Sequence, residues 1–178
     1  MKIFISYSTQ DTHRVHSIAE KLTSDSKAEV YWWKNSQRPG QAAWAQIFQW
    51  INEADLVLVV VSGNVLQRAL AVGNEVGYAK AKAKVIIPLV WESPSLSAKL
   101  FRKLGTKVGM GTDDLGCIGD LVHIRINEKE PEEGLQRLGD ELQRLAAQKA
   151  AQKATKETQD AILAVAGLLA VGAMLVKG

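Results

Sequence analysis

Leu56-Val57-Leu58-Val59-Val60-Val61 sets six consecutive apolar residues, four of them valine, between Ala54-Asp55 and Ser62-Gly63-Asn64. A run this short is no isolated helix, and it lacks the alternation of a strand wetted on one face, so it reads as a strand covered on both sides. Such a strand belongs at the centre of a parallel sheet. In open α/β sheets ligands gather beyond the carboxyl ends of the strands. Ser62 falls at that edge, and Glu75 lies on the helix that follows.

The rest of the chain arranges itself around this strand. Lys2 to Tyr7 reads as a first strand, and Ser8 with Asp11 three residues on has the form of a capping box. Val15, Ile18, Ala19 and Leu22 then recur at helical spacing. Ala28 to Trp33 is a second strand, and Lys34 to Gln41, with Pro39-Gly40, is a loop. A second helix from about Ala42 carries Trp44, Ile47, Phe48 and Ile51 on one face, with Trp50 at its flank. The third helix spans Val65 to Lys82, with an inward stripe of Val65, Leu66, Ala69, Gly73, Val76 and Gly77 from which Glu75 points away. Glycine inside a helix costs about 1 kcal/mol against alanine, so Gly73 and Gly77 suggest close packing or a local irregularity.

Lys84 to Trp91 is a fourth strand, although Pro88 argues for a strand end or bulge rather than a fully paired centre. A short helix around 98–104, a Gly-rich connection, a fifth strand over Asp120 to Ile126 and a helix opened by Pro131-Glu132-Glu133 complete the pattern. Leu135, Leu138, Leu142 and Leu145 give that last helix an apolar face. Strand alternating with helix implies an α/β, flavodoxin-like five-stranded parallel sheet with flanking helices. Residues 1–127 form this domain, 128–157 a helix and an Ala/Gln/Lys-rich spacer, and 158–178 an apolar carboxyl-terminal helix.

Composition excludes several functions. The hydrophobic fraction of 47%, the charged fraction of 23% and the net charge of +3 are ordinary for a globular protein. No Lys/Arg cluster has the density of a nucleic-acid-binding face. The single Cys117 rules out an internal disulfide and a thiolate zinc cage, and His13, His16 and His123 lack metal-ligand spacing. The amino terminus has no secretory-signal pattern, so a cytoplasmic location is expected. A phosphoacceptor receiver would end the third strand on aspartate, where Val61-Ser62-Gly63 stands. No P-loop motif occurs, and Gly109-Met110-Gly111 does not stand between a strand and a helix as a dinucleotide fingerprint does.

Ile3-Phe4-Ile5-Ser6-Tyr7-Ser8, Arg38-Pro39-Gly40 followed by Trp44, Ala54-Asp55 leading into Val59-Val60-Val61-Ser62, and Asn74-Glu75 followed by Ile86-Ile87-Pro88 occur in this order over residues 1 to 127. Together they resemble a Toll/interleukin-receptor (TIR) domain of the prokaryotic, NAD+-cleaving type. Two positions depart from that pattern: Ala71 stands where many members carry tryptophan four residues before the glutamate, and Lys34-Asn35 where an acidic residue often follows the second strand. Both border the family's site.

The resemblance implies cleavage of the nicotinamide–ribose bond of NAD+, used as substrate without a further cofactor, with Glu75 as the catalytic carboxylate and a role in antiphage defence. It adds Tyr7, Ser8, Arg38, Trp44 and Ser62 as substrate-binding candidates. Tyr7 either stacks on a base or is a core aromatic, and Arg38 meets a diphosphate, a neighbouring protomer or solvent. Trp44 is core or ligand contact, and Ser62 bonds the ribose or caps the third helix. Two other functions compete: a non-enzymatic module acting through homotypic TIR–TIR contacts of the Arg38-Pro39-Gly40 loop, and a nucleoside deoxyribosyltransferase-like enzyme on a related fold. The tail, Ala161 to Val176, is uncharged. As a helix it spans about 24 Å, short of the roughly 30 Å hydrocarbon core. Its small residues favour helix packing on another protomer, with membrane contact through 161–176 as the alternative.

Overall fold

The computed structural model describes residues 1–26, 28–36, 40, 42–67, 69–92, 118–119 and 121–175, with backbone alone at 26, 36, 66–67, 69, 161 and 163–175. The expected helix at 98–104, the Gly-rich connection, Cys117 and Arg38 lie outside the described residues. The chain divides into two compact units, Met1–Gly139 and Asp140–Gly178.

In the first unit, β1 (Lys2–Ser6) leads through a 3-10 turn (Thr9–Asp11) into α1 (Thr12–Ser26), followed by β2 (Glu29–Tyr31), α2 (Trp33–Ser36), α3 (Ala43–Glu53) and β3 (Leu56–Val61). Next come α4 (Gly63–Gln67), α5 (Ala69–Ala81), β4 (Val85–Glu92) and β5 (Ile124–Asn127), and then α6 (Pro131–Leu175) begins. The strands form one sheet in the order β2-β1-β3-β4-β5, with every pairing parallel. All six residues of β3 are buried, as a strand flanked and covered on both sides requires. Side chains alternate across a strand. Phe4, Val57, Val59, Val61 and Val90 join Ile47, Ile51, Val72 and Val76 in one core cluster, so this face packs on α3 and α5. Ile3, Ile5, Leu56, Leu58 and Val60 are equally buried and take the opposite face.

Several local expectations give way to tertiary packing. Pro88 pairs with Val59 in the interior of β4, because β5 joins only from Leu89 onward and leaves that stretch flanked by one strand. Trp50 is core, not flank: it is 3% exposed and its ring stacks on Tyr31 at 6.2 Å, with Phe4 and Trp33 close by. The buried arc of α3 is Gln46, Ile47, Trp50 and Ile51, which rotates Trp44 outward to 42% exposure. The expected third helix comprises α4 and α5, and its buried face includes Val72 and Ala79 beside Val65 and Val76, where the expected stripe had Gly73 and Gly77. Within α5 the buried positions are Val72, Glu75, Val76 and Ala79. Gly77 is exposed, and a Cβ there would touch nothing, so close packing is not its reason. Gly134 is different: a Cβ would lie 2.6 Å from the Arg125 carbonyl oxygen, so only glycine lets the first turns of α6 sit this close to β5.

The second unit is helical up to Leu175. Leu142 is buried, Glu141 pairs with Arg144, and residues 146–160 are exposed throughout. Among the described residues no helix is long and apolar enough to cross a membrane.

Candidate active site

The last residue of β1 decides the site. Ser6 shares the α5-facing side of the strand with Phe4, is fully buried, and donates its hydroxyl to Glu75 Oε2. Glu75 therefore does not point away from the core. It is 8% exposed on the sheet-facing side of α5, and burial raises its pKa to about 7, with the Ser6 hydrogen bond opposing part of that rise. No cation pairs with Glu75 among the described residues. A carboxylate removed from water without a counter-charge is costly, so its protonation is finely balanced near neutral pH.

Tyr7 follows at once, 8% exposed, edge-on to Trp32 at 6.2 Å, and its hydroxyl accepts the Lys34 backbone N–H at 3.3 Å. Burial raises the Tyr7 pKa, and the neighbouring Glu75 charge pushes in the same direction. Ser6, Tyr7 and Glu75 thus meet at the carboxyl end of β1. Ala71, one turn before Glu75, is exposed.

Ser62 lies on the other side of the same edge and is 1% exposed. Its hydroxyl donates to Asp11 Oδ2 at 2.5 Å and accepts the backbone N–H groups of Asn64 (3.2 Å) and Val65 (3.3 Å). That is the capping arrangement for α4, and it occupies the hydroxyl's hydrogen. Asp11, fully buried, also accepts Asn64 Nδ2 at 2.8 Å and Arg14 Nη1 at 2.5 Å. Arg14 reaches on to Glu128 and lies over the Trp91 ring. Ser8 makes no side-chain cap, so the expected capping box is not formed; its carbonyl accepts the Asp11 N–H at 2.7 Å instead. Trp44 stands on the α3 surface against Phe48 and is not core.

Ser6, Arg14 and Asn64 are not marked out by the sequence patterns, and Asp11 is marked only as half of a capping box. Ser6 carried one available signal, a polar residue closing an apolar strand. A groove of about 640 Å³ lined by Arg14, Ser17, Lys21, Trp91, Glu132 and Leu135 includes neither Glu75 nor Ser6. Among the described residues no cluster of His, Cys, Asp and Glu could hold a metal.

No curated protein matches the chain. Among solved structures, the TIR domains of the activated Roq1 resistosome, which directly recognizes the pathogen effector XopQ, superpose with a TM-score of 0.59 at 14% identity, covering 79% of this chain and 98% of that one. The CMP N-glycosidase BcmB of Clostridium botulinum aligns with a TM-score of 0.47 at 22% identity, covering 78% and 97%. The TIR domain family profile matches residues 3–139. With the five-stranded parallel sheet in place over the same stretch, the chain belongs to the TIR domain family.

Proposed function

We propose that this TIR domain cleaves the nicotinamide–ribose bond of NAD+, releasing nicotinamide and ADP-ribose or a cyclic relative. The observation that carries the reading is Glu75, a buried carboxylate at the carboxyl edge of a parallel sheet whose one polar partner among the described residues is a serine hydroxyl. A solvated helix glutamate would have neither the burial nor the displaced pKa, and perturbed groups of this kind gather at functional sites.

The chemistry asks for one carboxylate. Nicotinamide leaves a pyridinium as a neutral ring, taking the bonding pair of the C1′–N bond, so no general acid is needed, in contrast to glycosidases with two carboxyl groups. The ribose becomes oxocarbenium-like, and an ionised Glu75 beside it stabilises that positive charge in a site of low dielectric. Water, or a nucleophile within the product, then attacks C1′. In hydrolysis the water's proton passes to solvent, directly or by way of Glu75. The pyridinium of bound NAD+ itself favours the ionised form of a nearby carboxylate, so the substrate prepares the group that it needs.

The test is to incubate the purified full chain with NAD+ and follow free nicotinamide by chromatography. Release is expected. None at any protein concentration overturns the enzymatic reading and leaves the interaction module, which has no use for Glu75. Assembly of further copies belongs to the same proposal, and the Roq1 TIR domains stand within a resistosome. Turnover per protomer that stays constant across the dissociation range would remove that part.

A further inference from the structure

We infer that Ser6 is the positioning residue of the site: donated to Glu75 Oε2, its hydroxyl holds one carboxylate oxygen and leaves Oε1 to the substrate. The inference rests on Glu75 being the catalytic carboxylate. Ser6 is suited to this task by its place. It closes β1, pairs in register with Val59 of the central strand, and is fully buried, so its hydroxyl is carried by the sheet rather than by a loop. The carboxylate it meets ends a flexible side chain on α5, which without that bond has rotamers to choose from.

The two oxygens are not equivalent. Oε2 takes the Ser6 hydrogen, while Oε1 has no partner among the described residues. Glu75 keeps 8% of its surface exposed, and Oε1 is the oxygen free of the Ser6 bond. It is the one open to a ribose hydroxyl or to the developing positive charge.

Among the described residues few other groups compete for control of Glu75. Of the elements packed on α5, β1 brings Ser6 and, one residue on, the Tyr7 phenol. β3 brings apolar side chains, β4 adds Glu92 set against Arg125, and α4 carries no charge. The one charged residue of α3, Glu53, is tied to Lys2 at the amino-terminal end of β1. Among the described residues Ser6 is thus the group that favours the ionised form against burial.

The experiment titrates Glu75 directly, by 13C NMR of carboxyl-labelled glutamate in the full chain, and records kcat/KM for NAD+ cleavage against pH. Glu75→Gln identifies the signal. In Ser6→Ala both the carboxyl midpoint and the acid limb of kcat/KM should move upward by about one pH unit. The activity deficit should then approach tenfold below about pH 6, be roughly five- to sixfold near pH 7, and nearly vanish near pH 9. Ser6→Cys, close in volume and a weaker donor, should fall between wild type and Ser6→Ala, and it carries the test if the alanine variant does not fold. A midpoint and limb unmoved in a folded variant overturn the role of Ser6 alone. A wild-type chain that titrates as described yet releases no nicotinamide overturns the reading of Glu75, and the positioning role with it.

Discussion

Two carboxylates lie buried at one edge of the sheet, and they are supplied very differently. Asp11, fully buried, receives the Ser62 hydroxyl, the Asn64 amide and the Arg14 guanidinium, so its charge is matched and its oxygens are bonded. Glu75, nearly as buried, receives one hydroxyl and no cation among the described residues. Strand alternation separates them. Ser6 shares the face of Phe4 and meets α5, whereas Ser62 follows the opposite alternation to Val61 and meets the turn before α1. A buried charge that is fully partnered ties elements together, while one left short of partners keeps its interaction for something that is not yet there.

The largest expected effect breaks the first of these sites. Asp11→Ala leaves Arg14, Ser62 and Asn64 without their common acceptor, and removing one partner from a buried pair costs about 3–5 kcal/mol. Chemical denaturation of the variant should show a loss of that size. A loss under about 1 kcal/mol, the scale of exposed ion pairs, would mean that Asp11 is no framework and that the contrast with Glu75 is empty.

Glu75→Gln tests the other side. The fold should persist, and nicotinamide release should fall by about 10²–10³-fold or more, the scale of losing one group that stabilises transition-state charge. A folded variant that turns over at near wild-type rate would refute the assignment.

Stability should also respond to Glu75 through pH. The native carboxyl titrates near 7 against an ordinary value of 4.5, so between these limits the folded chain holds a proton that the unfolded chain has lost. The contribution is fully present below pH 4.5 and is lost as pH rises through about 7. The amide of the Glu75→Gln variant cannot ionise. Relative to wild type, the variant should gain up to roughly 3 kcal/mol between pH 4 and pH 8. Parallel stability curves for the two proteins across this range would show that Glu75 is ordinary.

How much of this is legible in the sequence follows from how local each determinant is. Leu56–Val61 and the Val15, Ile18, Ala19 and Leu22 stripe need no distant partner, and both are buried as their patterns require. The position of Glu75 is misread when Gly73 and Gly77 are put on the inward face in place of Val72 and Ala79, and Trp50 because the arc of α3 is set by Tyr31 and Phe4 from other strands. Asp11 is invisible as a site residue for a stronger reason. Its partner Ser62 stands 51 positions away, and no local pattern records that meeting. The local pattern it does offer, a capping box with Ser8, is one that the fold does not use.

The smallest expected effect sharpens where the Asp11 site ends. Arg14 bonds Asp11 with one nitrogen and Glu128 with the other, but the two acids differ: Asp11 has no exposed side chain, while that of Glu128 is 36% exposed. Replacing Glu128 by glutamine keeps an acceptor at the same reach, and water takes up what the amide does not. The guanidinium also keeps its place over the Trp91 ring, 5.5 Å from the centroid. Exposed pairs contribute about 0–1 kcal/mol and are weakened further by salt. Glu128→Gln should therefore cost less than about 1 kcal/mol in denaturation, and less again at high ionic strength. If it instead matched Asp11→Ala, the charge balance of Asp11 would depend on a group at the surface, and the framework would run from Ser62 through Arg14 to the end of β5 as one unit.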